Sequence, residues 1–202
     1  MTTGEPVAVP WSVIPDYHCF GCSPHNAAGL RLTFTPHPDG LRADFRLDRS
    51  FESYPGVVHG GLTGVICDEL MGNLIVLTRH RPAFTVTQRT RFLTPLLIAR
   101  DYHCVAALEP SPPGQPLRAR AEIRAADGAV CATSTATYQP FALEDARRHL
   151  TLDDDEIAAL AHALATGDHT APDPTAPHPP AAHSPAAHSP ATNPTATNGV
   201  PS

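Results

Sequence analysis

A carboxylate inside an apolar stretch is the feature of this sequence best suited to chemistry. Asp68 follows the apolar run Leu62–Cys67 and lies nine positions after His59, which begins a His-Gly-Gly tripeptide. The stretch from His59 to His80 is predicted to be a helix by its length and its Leu, Met and Ile content. A carboxylate on such a helix can activate water as a general base or act as a nucleophile itself.

Gly60 and Gly61 are predicted to start this helix, where the first backbone amides have no partner within the helix. Since glycine has no Cβ, a substrate carbonyl can approach closely and accept an amide hydrogen bond as negative charge develops on its oxygen. Asp68 lies eight residues beyond Gly60, which is ~12 Å along a helix axis. Either the two groups serve different purposes, or a second chain completes the site.

Asp68 and Glu69 compete for the role of catalytic carboxylate. They lie ~100° apart around the helix, so only one of them can face a given site. Asp68 shares its face with Gly61, Gly64, Gly72 and Ile75, whereas Glu69 shares a face with Leu62, Val65, Ile66 and Asn73. Because the glycines leave room for a substrate or a partner backbone, we predict Asp68, with a merely hydrogen-bonded buried carboxylate as the alternative.

The His-Gly-Gly entry to an apolar helix, with Asp68 at this spacing, resembles the hotdog-fold acyl-CoA thioesterases. The phenylacetate-pathway enzymes and the thioesterase superfamily members are the most similar types. Cys19-Phe20-Gly21-Cys22, followed by Gly29-Leu30-Arg31-Leu32, resembles an amino-terminal signature of a bacterial branch, and Thr85–Thr94 resembles the strand after the helix. The resemblance extends over about residues 16–140.

This resemblance implies hydrolysis of acyl-CoA to free acid and CoA, without a cofactor. It implies a homo-oligomer, a dimer or a dimer of dimers, in which an antiparallel dimer brings Gly60 of one subunit to Asp68 of the other. Gly60 would donate to the oxyanion and Gly61 would contact the substrate. A hydratase signature is not found, and the alternative function is a non-catalytic acyl-CoA sensor or acyl carrier-type protein, which would need no helix carboxylate.

Further site residues are assigned through the resemblance. Thr85 matches a Ser or Thr that positions the nucleophilic water, and an ordinary strand threonine is the alternative. His59 is expected to cap the helix or to transfer a proton. Relatives carry Asn or Gln six residues before the His, and this chain has Ser53 at that position. Ser53 is therefore assigned to substrate binding, either through a shorter contact or through a bridging water, with replacement by Glu52 as the alternative.

Arg89 and Arg91 alternate along the predicted strand after the helix. Basic residues in this strand resemble those that hold the phosphates of CoA, where Arg forms charge-assisted hydrogen bonds. A solvated strand edge explains the pair equally well.

The Cys19-x-x-Cys22 pair, with His18 and His25 nearby, is half of a four-ligand zinc site. No second cysteine pair follows it, so we predict no metal and a loop packed over the acyl pocket.

The secondary structure is predicted as two strands, one long helix and four strands, an α+β hotdog fold with a curved antiparallel sheet of about six strands. Strands at 30–35 and 41–47 form a hairpin around Asp39-Gly40, and the later strands cover 84–93, 102–108, 117–125 and 130–138. A helix that is apolar nearly all round must be wrapped by sheet on most sides.

The chain is divided into an amino-terminal loop segment at 1–28, the hotdog domain at 29–142, a short helix within 143–166 and a tail at 167–202. Asp153 and Glu156 predict a capping box at the start of that helix. The tail consists mainly of Pro, Ala, Thr, His and Ser, which predicts disorder because it offers little apolar surface to bury.

Composition narrows the function further. The formal net charge of −6 argues against a nucleic-acid binder, which needs a basic face. No apolar stretch is free enough of charge to predict a membrane span. Five cysteines without a regular framework and the absence of a signal-like amino end predict free thiols and a cytoplasmic location.

Overall fold

The structure, a computed structural model, describes residues 4–112, 114–148 and 150–167. Within these ranges the chain forms six strands and two α-helices. In chain order they are β1 (Thr35–His37), β2 (Gly40–Phe45), α1 (Gly60–Arg79), β3 (Ala83–Phe92), β4 (Tyr102–Glu109), β5 (Leu117–Ala125), β6 (Val130–Pro140) and α2 (Asp154–Thr166). Short 3-10 turns occur at Pro10–Val13, Arg49–Phe51 and Leu143–Arg148.

The six strands form one antiparallel sheet in the order β1-β2-β4-β5-β6-β3. Helix α1 contacts β2, β3, β4, β5 and β6, so the sheet covers most of the helix. A long helix against one antiparallel sheet is the predicted hotdog architecture, and the fold prediction is confirmed.

The core lies between α1 and the sheet. Ile66, Leu70, Met71 and Ile75 project from the helix and are fully buried. The strands facing them carry many buried alanines, among them Ala43, Ala106, Ala119, Ala121 and Ala132. Small side chains on the sheet let the long helix side chains pack closely against it.

By length and mean hydropathy alone, α1 is long and apolar enough to cross a membrane. The core helix of a soluble protein meets the same two criteria. Its packing against five strands is the arrangement of a core helix.

The first predicted strand is largely wrong. Strand β1 covers only Thr35–His37, and it pairs with β2 across the predicted Asp39-Gly40 turn. In the preceding segment, Leu30 donates its amide to Phe20 and Leu32 donates to Gly21. The alternation of Leu30, Leu32 and Phe34 therefore reflects an extended segment that buries one side. Its backbone is hydrogen-bonded to the amino-terminal loop and not to a strand of the sheet.

Helix α2 docks on the amino-terminal segment and the end of α1. Its Leu160 and Leu164 are buried in a small cluster with Ile14 and Val76. The predicted capping box is confirmed, because Asp153 accepts from the Glu156 amide while Glu156 accepts from the Asp153 amide. Disorder is predicted for the tail, and the residues of the tail from 168 onward lie outside the described part of the chain.

Leu160→Ala tests whether this docking contributes to the stability of the domain. Removing a fully buried leucine side chain should lower the free energy of unfolding by ~2–5 kcal/mol. The control His162→Ala changes an exposed residue of the same helix and should stay within about 0.5 kcal/mol of the original protein. Denaturant titrations of both variants measure the difference; equal midpoints would show that α2 does not stabilise the domain.

Candidate active site

The Asp68 carboxylate is held by two hydroxyl groups from two different strands. Thr85 Oγ1 donates to Asp68 Oδ1 over 2.8 Å, and Tyr138 Oη donates to the same oxygen over 2.8 Å. Tyr138 is almost completely buried, and burial raises the pKa of its hydroxyl, so it acts as a proton-bearing donor. Among the described residues, no hydrogen bond is found at Asp68 Oδ2, the second carboxylate oxygen. The carboxylate is thus fixed through one oxygen and available through the other.

A β-bulge in β3 aims Thr85 at the helix. Thr85 pairs with Tyr138, but the next pair is Thr87 with Thr137, which leaves one extra residue in β3. Beyond the bulge, Gln88 bonds the Gly64 carbonyl of α1, so the even-numbered residues there face the helix. Without the bulge, odd-numbered Thr85 would point away from α1 together with Thr87, because side chains alternate along a strand.

The amino end of α1 is capped by His59. Its Nδ1 accepts the Gly61 amide over 3.1 Å, so the Gly61 amide is used within the cap. The amide of Gly60, the first residue of the helix, has no acceptor within the helix. A Cβ on Gly60 would lie 3.6 Å from the Phe92 ring, which places this amide beside the last residue of β3.

The glycine face of α1 is turned toward β3 and β6. A Cβ on Gly72 would lie 3.7 Å from the ring of Tyr138, and one on Gly64 would lie 3.9 Å from Gln88. Together with the contacts of Gly60 and Asp68, this shows that β3 runs antiparallel to α1. Its beginning lies at Asp68 and its end lies at Gly60.

Glu69 faces the amino-terminal loop instead. Its Oε1 lies 3.1 Å from Cys19 Sγ, in hydrogen-bond contact, and its Oε2 accepts from Asn73 over 3.2 Å. Burial raises the pKa of Glu69 to about 8. A hydrogen bond from Cys22 lowers the pKa of the Cys19 thiol to about 5, so the pKa values of the two groups in this contact are shifted in opposite directions.

A pocket of about 310 Å³ opens between the two carboxylates. Its polar lining includes Asp68, Glu69, Cys19 and Thr85. The rest of its wall is mainly apolar and aromatic, formed by Trp11, Tyr17, Gly72, Asn73, Val76, Ala83, Phe84, Tyr138, Phe141 and Leu150. Most small-molecule sites combine such an apolar wall with a few convergent polar groups.

The other predicted residues lie apart from Asp68 within the chain. Arg89 and Arg91 pair with Thr135 and Thr133 of β6, and they lie on the face of the sheet opposite α1. Ser53 is exposed in the loop before the helix, where its amide bonds Val57. Glu52, the alternative to Ser53, is engaged in the same loop because it accepts from the Gly56 amide.

Comparison with known proteins identifies solved structures of the same shape. A thioesterase superfamily protein is 22% identical and covers 68% of this chain and 72% of its own, with a TM-score of 0.57. A Streptococcus mutans protein bound to acetyl CoA is 12% identical over 62% of this chain and 94% of its own, with a TM-score of 0.52.

Zebrafish thioesterase superfamily member 2 is 14% identical and covers 59% of this chain and 91% of its own, with a TM-score of 0.51. No family model and no curated protein match the sequence. The chain has the hotdog fold. At these identities the likeness establishes the fold alone.

Sequence reasoning missed two partners in this hotdog site. Tyr138 lies 70 residues from Asp68, and it was predicted only as part of the last strand. Cys19 lies 50 residues from Glu69, and the Cys-x-x-Cys motif was interpreted without that carboxylate. The apolar alternation of β6 did place Tyr138 on the buried face, which was the available signal for the first of them.

Gly21→Ala tests how closely the loop is fitted to Glu69. A Cβ at Gly21 would lie 2.2 Å from Glu69 Cγ, so the loop or the carboxylate must move. Overpacking of this kind costs ~1–3 kcal/mol. The control Gly64→Ala adds a methyl group with ordinary contacts, the nearest at 3.9 Å. Thermal unfolding should distinguish the variants, and an unchanged midpoint for Gly21→Ala would show that the loop is not packed as described.

Proposed function

We propose that this protein hydrolyses acyl-CoA thioesters to a free acid and CoA, with Asp68 as the catalytic carboxylate. The observation that carries this proposal is that Thr85 and Tyr138 fix one oxygen of Asp68, a residue that lines the pocket, while the other oxygen accepts no hydrogen bond from the described residues. A carboxylate held in this way can take a proton from water as the water oxygen bonds to the thioester carbon, or it can attack that carbon itself. In the first route the carbon–sulfur bond breaks and CoA leaves as its thiol with the proton that Asp68 took from water. In the second route CoA leaves as its thiolate and takes a proton from solvent, and water then hydrolyses the acyl–Asp68 anhydride, which releases the free acid and restores the carboxylate.

Glu69 is the less suitable base because both of its carboxylate oxygens are already engaged. Oε1 contacts Cys19 and Oε2 contacts Asn73. A water molecule at Glu69 would have to displace one of these partners, whereas a water molecule at Asp68 Oδ2 would not. The same difference supports an enzyme over a non-catalytic acyl-CoA sensor, which has no use for a positioned carboxylate.

The Gly60 amide is the proposed oxyanion donor, and a second copy of the chain is proposed to supply it. Strand β3 is a ten-residue edge strand that bonds only β6 among the described elements. Large apolar side chains are exposed on this strand and just after it, with Val86 at 57%, Phe92 at 60% and Leu93 at 53%. A long exposed edge of this kind is a ready template for pairing with another strand.

The antiparallel course of β3 and α1 shows why such a pairing would complete the site. Thr85 and Asp68 lie at one end of β3, and Phe92 and Gly60 lie at the other. Two β3 strands paired antiparallel about their midpoints place the Thr85 end of each beside the Phe92 end of the other. Gly60 of one copy would then approach Asp68 of the second copy. Within one helix the same two residues are ~12 Å apart and cannot act on one carbonyl group.

The CoA part of the proposal is supported by solved structures of the same fold. One of them holds acetyl CoA, and a hypothetical thioesterase of Streptococcus pneumoniae holds coenzyme A. In this chain Arg89 and Arg91 are exposed on β3, within the proposed interface strand. They are the cations proposed to bind the CoA phosphates, through charge-assisted hydrogen bonds.

Asp68→Asn tests the chemistry. The substitution keeps the size of the side chain and removes the base, so kcat for acyl-CoA hydrolysis should fall by ~100- to 10,000-fold while acyl-CoA still binds. The matched control is Asp101→Asn, an exposed carboxylate paired with Arg46, which should leave kcat unchanged. Steady-state assays across acyl chain lengths, with binding followed by calorimetry, give both quantities.

Near-normal turnover of Asp68→Asn would exclude Asp68 as the catalytic carboxylate. If the original protein bound acyl-CoA of every length and hydrolysed none, the non-catalytic sensor would be the correct assignment.

Mixing two inactive variants tests the shared site. Asp68→Ala retains Gly60, and Gly60→Trp retains Asp68, so a hybrid dimer contains one complete site. Random exchange of subunits should restore about a quarter of the original activity. Mass spectrometry of the intact mixture must show the hybrid, and melting curves must show that both variants fold. Confirmed hybrids without recovered activity would mean that each chain builds its site alone.

A further inference from the structure

Three potential metal ligands converge where the amino-terminal loop meets α1. The two sulfur atoms of Cys19 and Cys22 and a carboxylate oxygen of Glu69 all lie within 4.8 Å of one another. We propose that Cys19, Cys22 and Glu69 bind a Zn²⁺ ion that fastens the amino-terminal loop to the catalytic helix. This proposal does not depend on the proposed hydrolysis, although Cys19 and Glu69 line the same pocket as Asp68.

The ligand types and their spacing fit zinc. Thiolate sulfur binds Zn²⁺ at ~2.3 Å and carboxylate oxygen at ~2.0–2.2 Å, so neighbouring ligand atoms in a tetrahedron lie about 3.5–3.8 Å apart. Cys19 Sγ and Glu69 Oε1 are already 3.1 Å apart. Small side-chain rotations therefore open the cluster enough for an ion. Two thiolates favour zinc over magnesium or calcium, which prefer oxygen ligands.

Each ligand also has an outer partner that orients it. The Gly21 amide donates to Cys19 Sγ over 3.3 Å, and Asn73 donates to the second oxygen of Glu69 over 3.2 Å. Tyr17 Oη lies 2.8 Å from Cys22 Sγ and would donate to that sulfur as a thiolate. Metal sites generally carry such outer hydrogen bonds, and these partners raise affinity by fixing the geometry of the ligands.

The loop backbone is arranged so that the cysteines reach the helix. Phe20 and Gly21 accept the amides of Leu30 and Leu32, which fixes the Cys-x-x-Cys turn from the other side. Gly21 has room against Glu69 only because it lacks a Cβ. The turn thus brings the sulfur atoms of Cys19, which is 50 residues from Glu69 in sequence, and of Cys22 close to the one carboxylate of this cluster.

The pocket provides the entry path and an open fourth position. Cys19, Glu69, Asn73 and Tyr17 line it, so a hydrated ion can enter and retain one water or bind one exogenous ligand. Binding releases to solvent whichever protons the three ligands carry. Since Glu69 is next to Asp68 in α1, the bound ion would hold the wall of the pocket against the catalytic helix.

Cobalt substitution tests the site in the full chain, expressed without an affinity tag and fully reduced. The sequence beyond residue 167 contains several histidines, so metal content alone does not identify the ligands. Only sulfur ligation gives Co²⁺ a thiolate-to-metal charge-transfer absorption. We expect this band to saturate at one Co²⁺ per chain and to be abolished by equimolar Zn²⁺.

Cys19→Ser and Cys22→Ser should abolish the band or weaken binding by about 100-fold or more, and Glu69→Gln should weaken it by at least ~10-fold. The matched control is Cys131→Ala, a buried cysteine of β6 outside the cluster, which should leave the band intact. Circular dichroism establishes that each variant is folded. If Cys22→Ser does not fold, then Cys19→Ser, at a partly exposed position, and Glu69→Gln decide the question.

Absence of the band in reduced, folded protein would overturn the proposal, as would its persistence in Cys19→Ser. Peptide mapping distinguishes the most plausible competing role. A Cys19–Cys22 disulfide that re-forms in air despite excess Zn²⁺ would show a redox pair instead of a metal site.

Discussion

The burial of one side of α1 against the sheet determines where the polar groups of this protein lie. Ile66, Leu70, Met71 and Ile75 have no exposed surface, so the rotation of the helix about its axis is fixed by the core. Asp68 and Glu69 then emerge on either side of one pocket. Because burial of an aliphatic side chain stabilises by ~1.5–3 kcal/mol, rotating the helix to exchange the two carboxylates would cost more than their own hydrogen bonds supply.

Two adjacent carboxylates acquire different chemistry from this arrangement. Asp68 meets hydroxyl donors on β3 and β6 and keeps an oxygen free. Glu69 meets a thiol and an amide, and burial raises its pKa to about 8. The surroundings of Asp68 position a carboxylate for reaction, and the surroundings of Glu69 bring two thiol groups close to a buried carboxyl group. The proposed thioester hydrolysis and the proposed zinc site are thus assigned to two neighbouring faces of one helix.

A single copy of the chain presents the two halves of the proposed reaction centre at opposite ends of β3. The carboxylate lies at Thr85 and the open helix amide lies at Phe92. In the proposed dimer, the exposed edges of two β3 strands pair about a two-fold axis and bring these ends together, and burial of their apolar side chains would favour the pairing. The same strand contains the bulge that turns Thr85 toward Asp68. Strand β3 therefore has two functions: it positions Thr85 at Asp68, and its exposed edge is the proposed dimer interface.

The sequence by itself determined the elements whose signals are local. The apolar run of α1, the Asp39-Gly40 turn and the Asp153 capping box are each encoded within a few residues, and the structure contains all three. The predicted first strand failed because an alternating pattern reports burial and not the identity of the partner backbone. Likewise, only the tertiary structure joined Tyr138 to Asp68 and Cys19 to Glu69. These contacts depend on sheet order, on a one-residue bulge and on the path of a loop, and none of these follows from local periodicity.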